Sequence, residues 1–265
     1  MRSDHSALLL ATRHFSDSVF SSTFHCPDLA RQIAPGQFVM LDVPGRIRPY
    51  LRRAYSVADA DPETGRVEFL VKTIGPGTAA LEALAAGANV LLLGPLGNSF
   101  SAGGLARGCR VALVAGGIGA APFPLLLRSL AAAGVETDFF LGGRTASDLS
   151  VLERFSGIVS GAVLTATNDG SAGERGFVTD LFARRAESRG YARVYACGPM
   201  PMFGALAAIV SRLDVPSEFS TEAAMGCGFG ACLACVIPGA DAPFLVSCQE
   251  GPVLAPSRID WSRCL

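Results

Sequence analysis

Through the first hundred residues the apolar side chains come in short runs, several of them alternating with polar ones, at 7–12, 20–25, 37–43, 54–58, 67–74 and 89–93. Turn-forming clusters punctuate these runs: Pro35-Gly36, Pro44-Gly45 and Glu63-Thr64-Gly65. A period of two puts alternate side chains on opposite faces of a strand, and many short strands with such turns predict an antiparallel barrel or sandwich. One helix interrupts the series, expected over 78–86 with Thr78 as its N-cap. From Arg110 the texture changes. Residues 111–115 are apolar throughout, Gly116 to Gly119 form a glycine turn, 121–133 read as a helix ended by Gly134, and 135–141 as another strand. The order continues with a strand at 162–167, a helix near 178–188, a strand at 193–197 and a helix at 202–212. Alternating strands and helices predict a doubly wound parallel sheet. From about Ser220 the chain is rich in Gly and Cys and has no helical period, so it reads as a small lobe organised by a cofactor. The expected domains are therefore a barrel over 1–101, an α/β domain over 102–219 and a lobe over 220–265.

A chain of 265 residues is the length of about two domains, and with half its residues apolar and 17% charged it can fill a core. The net charge is −1 and Lys72 is the only lysine, so the concentrated basic surface that a nucleic-acid partner needs is missing. Arginines do gather at Arg46, Arg48, Arg52 and Arg53, either as a solvated loop or as a site for a local anionic ligand. Residues 1–6 are polar and the run at 8–11 is too short for a signal peptide. The longest apolar stretch, 111–127, is broken by Gly116, Gly117, Gly119, Pro122 and Pro124 and falls short of the ~20 residues that cross a bilayer. A soluble, cytoplasmic chain without a membrane partner is expected.

Eight cysteines change the picture more than the composition does. Four of them, Cys227, Cys232, Cys235 and Cys248, follow the spacing C-x4-C-x2-C-x12-C, which is that of plant-type [2Fe–2S] ligation. Gly226, Gly228 and Gly230 let the loop take positive φ, so that backbone N–H groups turn toward the sulfurs. A structural zinc site is the competing reading, although zinc favours two short C-x2–4-C pairs. A disulfide framework is out of place in a well-cored chain without a secretion signal. A one-electron cluster calls for a partner that exchanges one or two electrons, which points to flavin.

Candidate flavin and nucleotide residues precede the cysteines. In Arg53-Ala54-Tyr55-Ser56 the arginine has the fork of donors that a pyrophosphate takes, the tyrosine can stack on a flavin face, and the serine can bond a flavin polar edge. Lys72-Thr73-Ile74-Gly75-Pro76-Gly77-Thr78 offers a glycine turn opening a helix, where free N–H groups bind phosphate. Gly94-Pro95-Leu96-Gly97-Asn98 then ends the barrel with a rigid turn. Gly116-Gly117-Ile118-Gly119 follows an apolar strand and opens a helix, the context of a dinucleotide turn, though it is not a G-x-G-x-x-G and also fits a plain tight βα turn. Cys197-Gly198-Pro199-Met200 lies at the carboxyl edge of the sheet, where ligands sit, and its thiol is either a neighbour of a nicotinamide or a small buried hydrophobe. Thr167-Asn168-Asp169-Gly170-Ser171 closes another strand on that edge. No acidic residue clearly follows the second strand; Gly142-Gly143-Arg144 stands there with Asp148 further on, which leaves NAD against NADP open.

Together these motifs resemble the ferredoxin–NADP reductase superfamily over residues 7–215, and with Glu222-Ala-Ala-Met-Gly-Cys-Gly-Phe-Gly-Ala-Cys232 and Cys248-Gln-Glu-Gly-Pro-Val253 the whole chain is similar to the electron-transfer subunits of class B dihydroorotate dehydrogenases. The resemblance implies a β-barrel FAD domain, a nicotinamide-binding α/β domain and a [2Fe–2S] lobe. It implies FAD held by Arg53, Tyr55, Ser56, Lys72, Thr73, Gly77 and Thr78, a nicotinamide site at Gly116, Gly117 and Gly119 with Cys197 as its catalytic residue, and a cluster on Cys227, Cys232, Cys235 and Cys248. Electrons would come from the FMN of a dihydroorotate-oxidising partner subunit, in a heterotetramer of two of each, and leave as hydride on NAD⁺. Subunits of NAD(P)H–ferredoxin, hydrogenase or sulfur-reducing complexes share most of these motifs.

Overall fold

A computed structural model describes residues 3–42 and 51–264. Strands β1 (Ser3–Ser16) and β2 (Val19–His25), helix α1 (Pro27–Gln32), strands β3 (Phe38–Asp42), β4 (Arg53–Ser56), β5 (Asp59–Asp61) and β6 (Arg66–Lys72), helix α2 (Pro76–Glu82) and strand β7 (Asn89–Leu96) make the first unit. Its antiparallel sheet runs β4-β3-β7-β1-β2-β6-β5. The two ends of that order are consecutive in the chain. Val57 N donates to the Gln37 carbonyl at 3.1 Å and Ala58 N to the Glu68 carbonyl at 2.8 Å, so one continuous segment pairs first with β3 and then with β6 and curls the sheet closed. Alternation does what the sequence pattern asks: along β7, Val90, Leu92 and Leu96 are buried while Asn89 and Leu91 face out. The interior is filled by Phe20, Phe24, Phe69 and their aliphatic neighbours.

Next come β8 (Arg110–Gly116), α3 (Phe123–Ala132), β9 (Glu136–Gly143), a 3-10 segment (Ala146–Phe155), β10 (Val163–Thr167), β11 (Glu174–Arg175), α4 (Val178–Arg189), β12 (Arg193–Cys197), α5 (Met200–Arg212) and β13 (Ser217–Ser220). After these follow β14 (Val236–Pro238), β15 (Phe244–Val246), α6 (Ser247–Glu250) and β16 (Val253–Leu254). The second sheet runs β11-β10-β9-β8-β12-β13-β16 and is parallel except for β16. The middle of its central strands, residues 111–115 of β8 and 139–141 of β9, is apolar because both faces are covered. Phe123, Leu126 and Leu130 of α3 pack on one face, and Phe182 and Phe203 of α4 and α5 on the other.

The cysteine-rich segment has little regular structure beyond the β14–β15 hairpin, but its tail returns to the second sheet as β16. Asn98, at the end of the barrel, fastens it there. Its amide donates to the Glu250 carbonyl at 3.1 Å and the Val253 carbonyl at 2.7 Å, and its carbonyl accepts from Val253 N at 2.9 Å. Two motifs separated by 155 residues are thus one joint. The barrel and the second sheet also meet through Arg154, which donates to Asp59 at 2.5 Å and Glu68 at 2.8 Å, with Arg128 a further 3.0 Å from Asp59.

Three local expectations are corrected. Helix α2 begins at Pro76 with Gly75 as its N-cap, and Thr78 is a residue inside it whose hydroxyl accepts from Ile74 N at 3.0 Å and Gly75 N at 3.2 Å. Proline explains the shift, since its fixed φ and missing N–H suit the first helical position. Helix α1 was not foreseen, because its six residues hold too few turns to show a period. Of the strand expected over 54–58, residues 54–56 belong to β4, while Val57 and Ala58 pass from the β3 side to β6 ahead of β5, and Arg46 and Arg48 lie outside the described residues.

Candidate active site

Two clefts meet between the barrel and the second sheet. The smaller, about 260 Å³, has Phe38, Tyr55, Ser56 and Thr78 on the barrel side and Ile118, Thr221 and Met225 opposite. The larger, about 650 Å³, runs along the carboxyl ends of β8, β9, β10 and β12. Lys72, Ile118 and Glu222 belong to both walls.

Tyr55 is 9% exposed, and its hydroxyl has no hydrogen-bond partner among the described residues. Burial pushes the phenol up to about 12, against a smaller opposing effect of the Arg53 charge. A buried hydroxyl left unpaired costs free energy, and Tyr55 stands with Ser56 in the cleft wall, so the two residues fit the polar edge of a flavin. The other barrel residues divide. Lys72 and Thr78 stand in the wall of the smaller cleft; Arg53, Thr73 and Gly77 do not. Arg53 donates to the Leu51 carbonyl at 2.6 Å, Thr73 donates to Glu82 at 2.7 Å, and Gly77 lies in the first turn of α2.

In the larger cleft, Gly116, Gly117 and Gly119 bring the backbone after β8 to the sheet edge. A Cβ on Gly119 would lie 2.4 Å from the Cys197 carbonyl oxygen, so only glycine lets this turn rest against the end of β12. Gly142, Gly143 and Asn168 continue the floor, and Phe177, 63% exposed, offers an open ring at the start of α4. Cys197 itself is 3% exposed and is not in the wall; Gly198 and Pro199, which follow it, are. Burial pushes its thiol well up, the Glu222 charge adds to that, and a Ser220 hydrogen bond opposes both.

Glu222 is the functional-site residue that sequence reasoning passed over as part of a motif. It is an exposed residue that opens onto both clefts, and its side chain has no hydrogen bond or ion pair among the described residues. Desolvation by the cleft walls around it raises its carboxyl above the ordinary value. The available signal was its place just beyond β13, on the carboxyl edge of a parallel sheet. Asp148, four residues beyond Arg144, is a second such residue. It accepts from Lys72 Nζ at 2.5 Å, from Arg144 N at 3.0 Å and from Arg144 Nε at 3.4 Å. Burial raises its pKa, but these hydrogen bonds outweigh it and hold the group below the usual carboxylate value.

The four clustered cysteines come together as two thiol pairs, Cys227 with Cys232 and Cys235 with Cys248, and Cys227 is near enough to act on Cys248 through charge. Gly228 and Gly230 have φ of +80° and +89°. The resulting curl lets Cys227 Sγ accept from Ala231 N at 3.3 Å and Cys232 N at 3.4 Å, while Cys235 Sγ accepts from Cys248 N at 3.4 Å. Burial raises the Cys227 thiol, yet the N–H groups of Cys232, Phe229 and Ala231 bring it down to about 6, toward the thiolate that iron or zinc needs. No three His, Cys, Asp or Glu side chains among the described residues converge as a single ion requires. Two thiol pairs with N–H donors directed at sulfur fit a two-iron cluster, which Cys227, Cys232, Cys235 and Cys248 would hold. Cys235 and Cys248 are buried against Phe38, Met40 and Leu96, with Ala223 and Met225 alongside. Phe38, Ala223 and Met225 also wall the smaller cleft, so the cysteine centre and that cleft share a partition.

Comparison with known proteins follows the same division. An oxidoreductase FAD-binding domain matches residues 7–100, an oxidoreductase NAD-binding domain matches 113–207, and the iron–sulfur cluster binding domain of dihydroorotate dehydrogenase B matches 222–260. The solved structure of an NADH-dependent reduced ferredoxin–NADP oxidoreductase superposes with a TM-score of 0.85 at 28% identity, over 97% of this chain and 91% of that one. The class is thus a ferredoxin–NADP reductase-like oxidoreductase with FAD, NAD and iron–sulfur binding units. The electron transfer subunit of dihydroorotate dehydrogenase B (NAD(+)) from Desulforamulus reducens is 34% identical over 96% of this chain and 97% of its own length. That from Bacillus caldolyticus is 38% identical over 85% and 86%. The chain belongs to the family of dihydroorotate dehydrogenase B electron transfer subunits. Among the described residues no helix is long and apolar enough to cross a membrane.

Proposed function

We propose that this chain carries electrons from the FMN of a dihydroorotate-oxidising partner subunit to NAD⁺ in pyrimidine biosynthesis, in the cytoplasm, as part of a heterotetramer of two subunits of each kind. The observation that carries this reading is the shared partition: Phe38, Ala223 and Met225 border both the cysteine centre and the smaller cleft, so electrons have a short protein path between them. When bound, a [2Fe–2S] cluster supplies one-electron transfer and FAD joins it to two-electron hydride chemistry.

In this reading Cys227, Cys232, Cys235 and Cys248 ligate the cluster. Tyr55 and Ser56 bond and cover the flavin, with Thr78 and Lys72 at its margin. Arg53, Thr73 and Gly77 form the rest of the FAD site, and Arg53 must leave the Leu51 carbonyl to meet a pyrophosphate. Gly116, Gly117 and Gly119 present backbone to the dinucleotide phosphates. Cys197 backs the nicotinamide end from behind Gly198 and Pro199, and acts through packing. Apolar Phe38, Ile118 and Met225 exclude water from the junction.

A second reading has one observation in its favour, the likeness over almost the full chain to the NADH-dependent reduced ferredoxin–NADP oxidoreductase. Co-expression with an FMN-containing dihydroorotate dehydrogenase catalytic subunit separates the two. The expected result is a co-purifying complex that reduces NAD⁺ when given dihydroorotate. A flavin- and iron-loaded chain that ignores that partner and exchanges electrons with ferredoxin would overturn the first reading in favour of the second.

A further inference from the structure

Ser247 stands immediately before Cys248 and is fully buried, at 0% exposure. Its hydroxyl has no hydrogen-bond partner among the described residues. The β14–β15 hairpin fixes where that side chain lies. Val236 pairs with Val246, Ile237 with Leu245 and Pro238 with Phe244. Ser247 N donates to the Cys235 carbonyl at 2.8 Å, which carries the register one step further and sets Ser247 opposite Cys235. Residues opposite each other in an antiparallel pair project to the same face, with Cβ atoms about 4.5–5.5 Å apart. Burial follows that division: Cys235, Ile237, Leu245 and Ser247 are inside, while Val236 is exposed and Val246 half-buried. The orphaned hydroxyl is therefore a neighbour of two of the four clustered cysteines, Cys235 across the hairpin and Cys248 along the chain. The side chains packed around those two thiols, Phe38, Met40 and Leu96, offer it no oxygen or nitrogen acceptor. A buried hydroxyl is seldom left without a partner, and here the nearest chemistry to supply one is sulfur.

We propose that Ser247 tunes the iron–sulfur centre: its hydroxyl donates to a sulfur on the Cys235–Cys248 side of the bound cluster and raises the reduction potential. The inference rests on the reading of Cys227, Cys232, Cys235 and Cys248 as the ligands of a [2Fe–2S] cluster. Reduction brings one electron and one further negative charge, shared by iron and sulfur. A hydrogen bond to sulfur favours the more highly charged state, and the hydroxyl keeps its proton throughout. The Cys227 and Cys235 sulfurs already accept from backbone N–H groups, which the loop supplies whatever its side chains are. The Ser247 hydroxyl differs in kind, because a single substitution removes it. On this side of the centre the potential is set by the choice of residue as well as by the fold.

The test is EPR-monitored potentiometry of the flavin- and cluster-loaded chain, which reads the cluster without turnover. In Ser247→Ala the ratio of reduced to oxidised cluster at a fixed potential should fall about three- to tenfold, tenfold being about 59 mV for one electron. Ser247→Thr and Ser247→Val are a matched pair, both branched at Cβ and different in the hydroxyl. Thr should keep the wild-type ratio within about twofold, and Val should follow Ala. Proton ENDOR of the reduced cluster gives a second readout, an exchangeable coupling present in wild type and Thr and absent from Ala and Val. Loss of the cluster from Ala and Val with retention in Thr would support the proposal too, since the hydroxyl is what separates them. A potential unchanged in Ala and Val, a shift common to Thr and Val, or loss of the cluster from all three variants overturns it. A wild-type chain whose reduced form has no [2Fe–2S] signal overturns the ligand reading, and the proposal with it.

Discussion

At the scale of single residues, the site is defined by polar groups whose partners are missing or unusual. Tyr55 is the clearest case, since its buried hydroxyl has no partner among the described residues. Tyr55→Phe removes that cost, so the flavin-free protein should gain about 1 kcal/mol of stability while affinity for FAD falls about three- to tenfold. Thermal melts without flavin and a flavin titration read the two effects, and unchanged FAD affinity would remove Tyr55 from the site. Cys232 is the exposed member of the cysteine set. Cys232→Ser should abolish the iron–sulfur absorbance and leave FAD bound, because the flavin cleft is walled by barrel and sheet residues; a variant that keeps its cluster spectrum would contradict the ligand assignment. The cysteines were legible in the sequence because their spacing is local. Tyr55 was legible as a candidate, but its orphaned hydroxyl was not, since that depends on what fails to approach it from across the barrel. Asp148 and Glu222 gain their meaning from Lys72, 76 residues away, and from the junction of two clefts, neither of which leaves a trace in a local pattern.

Among elements, regular structure followed the periodicity closely wherever a strand or helix had a face to bury. The expected strand at 193–197 is β12 as found, and the expected helix at 178–188 differs from α4 by one residue. Misses came where local chemistry competes with period: Pro76 rather than Thr78 starts α2, and the segment between β4 and β5 changes partners without changing its texture. The joint at Asn98 also belongs to this scale. Asn98→Ala deletes three hydrogen bonds to backbone and leaves Val253 N–H unsatisfied, which should cost about 2–4 kcal/mol and expose the cysteine-rich lobe to protease before the barrel. Denaturant titration with limited proteolysis checks this, and wild-type stability with wild-type cleavage would count against a fastening role. Cα packing alone would not make this joint specific; the amide reads both a donor and two acceptors of the Gly251-Pro252 turn region.

The molecule as a whole has carboxylates that answer acid in opposite directions. Asp4 and Asp148 have folded pKa values below the ordinary one, Asp4 chiefly through its Arg52 hydrogen bond and Asp148 because Lys72 and Arg144 outweigh burial. Their contribution to stability is complete above the usual carboxylate range and is lost as pH falls through the folded values. Glu218 and Glu222 are raised by desolvation, so the folded state takes up their protons first and gains stability as pH falls from neutral toward the ordinary 4.5. Glu222→Gln should therefore raise the melting temperature near neutral pH, with the gain fading as the pH approaches 4.5. A gain that is the same at every pH would show that Glu222 is not held at a desolvation cost.

The pair of Lys72 and Asp148 joins the barrel to the second sheet, and Lys72 is the chain's one lysine. An acylating reagent therefore finds a single side-chain amine, 23% exposed and engaged by a carboxylate at 2.5 Å. Its rate of modification is a chemical clock for how often the pair of Lys72 and Asp148 opens, at one of the residues that wall both clefts.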